Sequence, residues 1–158
     1  MDEKALFLKF WNKEAPATRK VLSRIPEGST YAPDPKSRPA REIAWQIVCE
    51  EVILGEGLVK GELEWKDLPT PPTLQAIVAH YDEHHDRLAQ AMASLPSSEW
   101  ERRIPFLYQG QELMAHSGYE HAWGFLFDII HHRGQISTYL RPMGSTVPQI
   151  YGPTADEP

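Results

Sequence analysis

The chain has 158 residues, 41% of them hydrophobic and 24% charged, with a net charge of −6 and a pI near 5.6. That length suits one domain, residues 1–158, with a full hydrophobic core. The acidic balance argues against sequence-independent nucleic-acid binding, which needs clustered Lys and Arg, and against docking on anionic lipid.

The single cysteine, Cys49, excludes an intrachain disulfide and a Cys-rich zinc site, and a reducing, cytoplasmic setting is the simplest reading. The opening MDEKALFLKFW has acidic residues and no long apolar run, so it does not read as a signal peptide. No stretch approaches the roughly 18 apolar residues of a membrane span.

Residues 1–24 read as the first helix, because Leu6, Phe7, Phe10, Trp11, Val21 and Leu22 recur at helical spacing. Pro16 lies inside this pattern and predicts a kink or a break. The Pro-rich segment 25–39 is a loop. A second helix starts near Pro39, a favoured first-turn residue, with Ser37 as a candidate cap, and runs to about Lys60. Its core face carries Ile43, Ile47, Leu54 and Leu58. Advancing about 100° per residue embeds Glu50 in that face, sets Gln46 at its border and turns Cys49 away.

Residues 61–72 form another loop. The third helix covers about Thr73–Leu95, with His85 among the apolar residues, His84 at the edge and His80 further out. His80 and His84 make an HxxxH that lacks the Glu and the apolar setting of a metalloprotease helix, and both read as mostly solvated. Residues 96–118 are irregular. Trp100, Ile104, Phe106 and Leu107 suit either a short extended segment or a cover over one end, punctuated by Gly110 and Gly118.

The last helix, Tyr119–Arg141, carries the densest chemistry. It is apolar almost all round, so it belongs in a core. Yet His121, Asp128, His132, Gln135 and Tyr139 all fall within about 40° of one line along it. Such a seam needs partners across the interior. Pro142 stops the helix and Gly144 favours a turn. The remaining tail has no periodicity, but its Val147, Ile150 and Tyr151 predict that it packs on the body. Four long amphipathic helices around a polar seam predict an all-α four-helix bundle with a structured, non-helical C-terminal tail.

Two readings of the seam stand side by side. Asp128 and His132, four residues apart, face the same way and can grip one ion, as carboxylate and imidazole groups do in helical cores. Gln46, Glu50 and His85 are the candidates for a further ligand. The bland reading is a hydrogen-bonded Asp–His pair. A core-face carboxylate such as Glu50 must be paired, protonated or metal-bound. Arg133 is read as snorkelling or pairing with an acid, and Gly134 as permitting a close helix approach. Ser117 and Ser137 lack a nucleophile-elbow context, and Cys49 lies off the seam, so hydrolase and thiolate catalysis find no support.

FDIIHHRGQISTYLRPMG, with SRPAREIAWQIVCEE upstream, resembles the DinB-like (damage-inducible protein) family, and the resemblance covers nearly the whole chain. It implies a four-helix bundle, often a homodimer. It also implies a divalent metal, commonly zinc or nickel, held by one histidine of the second helix and two of the last. Characterised relatives include thiol-dependent transferases and isomerases acting on small molecules. His132 matches the second histidine of the last-helix pair. Asp128 stands at the position of the first, and Gln46 at that of the second-helix histidine. The resemblance therefore implies a site of Gln46, Asp128 and His132, with Glu50 and His85 as further candidates. The pocket expected around it is lined by Gln46, Glu50, Asp128, His132 and Gln135. The alternative is a non-enzymatic stress-related binding or structural dimer whose site is metal-free.

Overall fold

The computed structural model describes residues 2–158. In chain order the elements are α1 (Glu3–Leu22), α2 (Ala40–Lys60), β1 (Leu63–Trp65), α3 (Leu74–Ser94), α4 (Ser97–Glu101), β2 (Arg103–Tyr108), β3 (Gln111–Ser117) and α5 (Gly118–Leu140). The four long helices pack in a ring in the order α1, α3, α2, α5, with α3 and α5 on a diagonal. Phe7, Trp11 and Trp100 are buried inside it, and Phe7 lies within 5.6 Å of both indoles. Each such side chain contributes about 1.5–3 kcal/mol through loss of its hydrated surface.

The helix termini follow local chemistry. Asp2 caps α1 by accepting from Ala5 N, and Thr73 caps α3 by accepting from Ala76 N. Ser117 and Glu120 form a capping box that starts α5 one residue before the expected Tyr119. α2 starts without any side-chain cap. Its N-cap is Pro39 and not Ser37, and the fixed proline φ of −58° suffices to set the first turn. α1 runs unbroken through Pro16. Asn12, whose carbonyl loses its intrahelical donor there, and the proline are both exposed, so the lost bond falls on the solvent side of the helix.

The all-α expectation is corrected. The fold is mostly helical, but β1, β2 and β3 form a three-stranded sheet in that order, β1 parallel to β2 and β2 antiparallel to β3. The hairpin turns on Gln109 (φ 50°) and Gly110 (φ 75°), the paired positive φ values whose twist matches that of two-residue hairpins. Leu63, fully buried, anchors β1 to α2 and pairs with Phe106. This sheet also changes the surroundings of Cys49. The thiol turns off the core face of α2 as expected, yet it is buried, because the β1 side covers it. Burial pushes its pKa up to about 11.

Gly55 explains how closely α2 and α3 approach, since a Cβ there would lie 2.6 Å from Leu88. Gly134 has no such role. A Cβ at that position meets nothing within 4 Å, so it does not mediate a helix contact. Arg133 does pair with an acid: it is buried, with Nη1 2.7 Å from Glu14 Oε2. Its Nη2 donates to Tyr151 Oη at 2.5 Å, and Tyr151 donates to Glu14 Oε2 at 2.7 Å. Arg24–Glu157 and Arg141–Asp156 pairs fasten the rest of the tail to the body.

Candidate functional site

The seam on α5 divides among three neighbours. His121, near the N-terminal end, donates Nε2–H to the carbonyl of Ile104 on β2 at 2.9 Å. Burial lowers its pKa, so it is a neutral donor that ties α5 to the sheet. Tyr139, near the other end, packs edge-on against Tyr31 of the loop before α2. Between them, Asp128 and His132 face Gln46 and Glu50 on α2.

At this centre the donor atoms of Glu50, Asp128 and His132 all lie within 4.8 Å of one another, and the three residues can hold a metal ion. His132 Nε2 is 3.5 Å from Glu50 Oε1 and 3.5 Å from Asp128 Oδ1. Its Nδ1 donates to Gln135 Oε1 at 2.9 Å, which orients the ring and leaves Nε2 toward the site. The Gln46 amide nitrogen donates to Glu50 Oε1 at 2.6 Å and to His132 Nε2 at 2.7 Å. Its orientation follows from Arg38, which can only donate and which bonds Gln46 Oε1. Gln46 therefore presents N–H groups to the centre, and its ligating oxygen is turned to Arg38.

The electrostatics follow from burial. Glu50 is 1% exposed and its Oε2 has no hydrogen-bond partner. Burial pushes its carboxyl above the ordinary range, opposed by His132 and Gln46 and assisted by the nearby charge of Asp128. For His132, burial is the largest single influence and disfavours the charge, but Glu50, Gln135 and Asp128 outweigh it and the pKa is raised. The Gln46 donor at 2.7 Å requires a lone pair on Nε2, so this arrangement is that of the neutral ring. Protonation there would turn the amide away and hand the new N–H to the carboxylates.

Glu50 and Asp128 open on a cavity of about 700 Å³ between α2, α5 and the sheet. Trp65 of β1, Phe106 of β2 and His116 and Met114 of β3 wall its far side, with Phe125 and Phe127 on α5. The sheet residues were not foreseen as part of a site. Their one sequence signal is weak, a Gln109–Gly110 turn in place of the usual Asn-Gly or Asp-Gly. His131 also lines the cavity and is exposed.

His85 does not join this centre. It is buried on α3, its Nδ1 3.1 Å from both oxygens of Glu51, and its ring is stacked against Trp11 and Tyr81. Burial raises the Glu51 carboxyl, with His85 opposing. Adjacent glutamates of α2 thus serve opposite neighbours, Glu50 facing α5 and Glu51 facing α3.

Comparison with known proteins identifies the family and the fold. The model of the DinB family matches residues 1–158. A protein of Bacillus subtilis (strain 168), named only as uncharacterized protein YrdA, is 30% identical over 162 residues, covering 96% of this chain and 89% of its own. Two crystal structures share the fold, each with a TM-score of 0.73. A DinB-like protein (YjoA) of Bacillus subtilis is 19% identical over 92% of this chain and 97% of its own. A DinB-like protein of Bacillus cereus is 23% identical over 92% and 95%.

Proposed function

The chain belongs to the DinB family, and from this premise we propose that its ring of helices is a four-helix bundle built around a divalent-metal site that serves a thiol-dependent reaction on small molecules. The observation that carries the metal site is the convergence of Glu50, Asp128 and His132 within 4.8 Å, Glu50 and Asp128 of which line a 700 Å³ cavity; the thiol chemistry rests on family membership. The residues fit a cation. Glu50 Oε2 is buried and orphaned, and such an oxygen is costly unless something positive or a proton meets it. Two carboxylates and an imidazole are a donor set that zinc and nickel accept.

Glu50, Asp128 and His132 would hold the metal, with Gln46 joining only if its amide turns over. A bound cation would supply Lewis acidity, lowering the pKa of a thiol or water. Without a cation, Glu50, whose pKa burial raises, is suited to hold a proton at Oε2. Gln135 fixes the His132 ring. Trp65, Phe106 and Phe125 offer an apolar wall for the body of a small substrate and exclude water from it. Phe10 on α1 and Phe127 on α5 are exposed, and their faces suit a second copy of the chain, in a homodimer. Among the described residues no helix is long and apolar enough to cross a membrane, and the lone cysteine suits a cytoplasmic setting.

The test is thiol consumption. Chelator-stripped and zinc- or nickel-reconstituted protein is mixed with a low-molecular-weight thiol and a panel of small electrophiles. Metal-dependent consumption that disappears in Glu50→Gln and His132→Ala supports the reading. Reconstituted protein that neither binds nor consumes any thiol overturns it.

A second reading has its own observation. Arg38, Gln46, Glu50, His132 and Gln135 form a continuous hydrogen-bonded chain that needs no ion. A metal-free binding or structural protein then follows. It predicts that His132→Ala lowers stability without any change in metal uptake.

A further inference from the structure

We propose that His80 and His84, together with Glu83, form a second divalent-cation site on the outer face of α3, separate from the centre on α2 and α5. The two histidines are one helical turn apart, so their side chains stand one above the other. Both are half-buried, contrary to the solvated reading of the motif. Their ring centroids are 5.8 Å apart, and the donor atoms of His80, Glu83 and His84 lie within 4.8 Å of one another. This group shares no residue with Glu50, Asp128 and His132.

Neighbours flank the rings. The indole of Trp45 on α2 lies against His80 at 5.4 Å, and its Nε1–H donates to the carbonyl of Leu68 at 3.1 Å. Arg87 pairs with Glu56 at 3.2 Å and reaches His84 Nδ1 at 3.5 Å. A guanidinium only donates, so it marks Nδ1 as the acceptor nitrogen of that contact. A cation ligated through Nδ1 would displace this long contact, and one ligated through Nε2 would leave it. His80 is therefore restrained by Trp45 before a cation arrives, which reduces the ordering cost of binding, while His84 has, apart from His80, only the long Arg87 contact. Two imidazoles and one carboxylate select borderline cations, namely zinc, nickel and copper(II), over magnesium and calcium, which prefer oxygen donors. The site leaves the remaining coordination positions to water, so it suits a peripheral or loading role more than a closed structural one.

Trp45 supplies a reporter, since copper(II) or nickel bound next to it should quench its fluorescence. The full chain, stripped of metal, is titrated with zinc and nickel by calorimetry, and with copper(II) by tryptophan emission. The expected result is an equivalent of zinc that survives His132→Ala and disappears in His80→Ala/His84→Ala. Trp45→Phe should weaken that equivalent, because His80 loses the indole that restrains it, and should lose most of the copper quench. Glu83→Gln should keep it with weaker binding. Circular dichroism confirms that each variant is folded. If the double histidine variant takes up as much zinc as the wild type with the same affinity, the site does not exist. Because the surviving equivalent is read in His132→Ala, failure of the central centre leaves this result unchanged, and the converse also holds.

Discussion

Replacing Arg133 by Met removes a guanidinium that is 1% exposed and leaves the Glu14 carboxylate, 6% exposed, without its ion pair. Breaking a buried pair by deleting one partner costs about 3–5 kcal/mol. Two features put this site at the lower end. Tyr151 still donates to Glu14 Oε2, and the Met side chain refills most of the lost volume. A cost of about 3 kcal/mol corresponds to a fall in Tm of about 6–12 °C for a chain of this size. Thermal melts and urea titrations measure it, with an unchanged m-value showing that the cost lies in the folded state. The companion is Glu14→Met/Arg133→Met, which removes both charges. Its stability should return most of the way to wild type, because an apolar pair needs no mutual compensation. A single variant within 1 kcal/mol of wild type, or a double variant no better than the single, would refute the argument. Either result would mean that the pair is effectively hydrated.

Other outcomes follow from single observations. Gly134→Ala should stabilise by up to about 1 kcal/mol, since it gains helix propensity and its Cβ meets nothing. Gly55→Ala should cost about 1–3 kcal/mol by driving a methyl into Leu88, and chemical denaturation separates the two signs. Ser117→Ala removes the capping box of α5 and should cost about 1 kcal/mol in the same assay. Glu50 has a raised pKa, chiefly through burial, so the folded state holds its proton above the ordinary value of 4.5. Its contribution to stability is thus present at low pH and lost as pH rises through the folded pKa. His132, also raised, has the same sign above 6.5, whereas His121, lowered by burial, loses stability as pH falls below 6.5. The comparison that isolates Glu50 is Glu50→Gln. Relative to wild type it should gain Tm as pH rises above the ordinary carboxyl value of 4.5, and a constant difference would show that the carboxyl is not perturbed.

The long helices were legible because Phe7, Trp11, Ile47, Leu54 and Ile77 recur with a single period. The same period set Glu50 in the core face of α2 with Gln46 at its border, while the pairing of Gln46 with Asp128 and His132 followed from the family resemblance; the docking of the tail was legible from Val147, Ile150 and Tyr151. The sheet was not. Its strands are short, Pro105 interrupts one of them, and its turn uses Gln109 rather than Asn or Asp at a positive φ. Missing the sheet hid the wall of the cavity, the tie between His121 and Ile104, and the cover over Cys49. The placing of His85 failed for another reason. Periodicity shows that it faces inward, but its partner depends on the order of helices around the ring. With α3 diagonal to α5, its nearest carboxylate is Glu51. Gly134 was misread because a small residue in a core helix looks the same whether or not a neighbour approaches it.

The claim that this centre serves a cation rests on Glu50, Asp128 and His132 acting together. The direct measurement is zinc and nickel calorimetry on metal-stripped His80→Ala/His84→Ala, in which the outer face of α3 is silent. The account predicts one equivalent per chain, lost in a variant that also carries His132→Ala and weakened by Asp128→Asn. No stoichiometric uptake, or uptake indifferent to His132, would contradict it and leave the hydrogen-bonded, metal-free centre as the explanation.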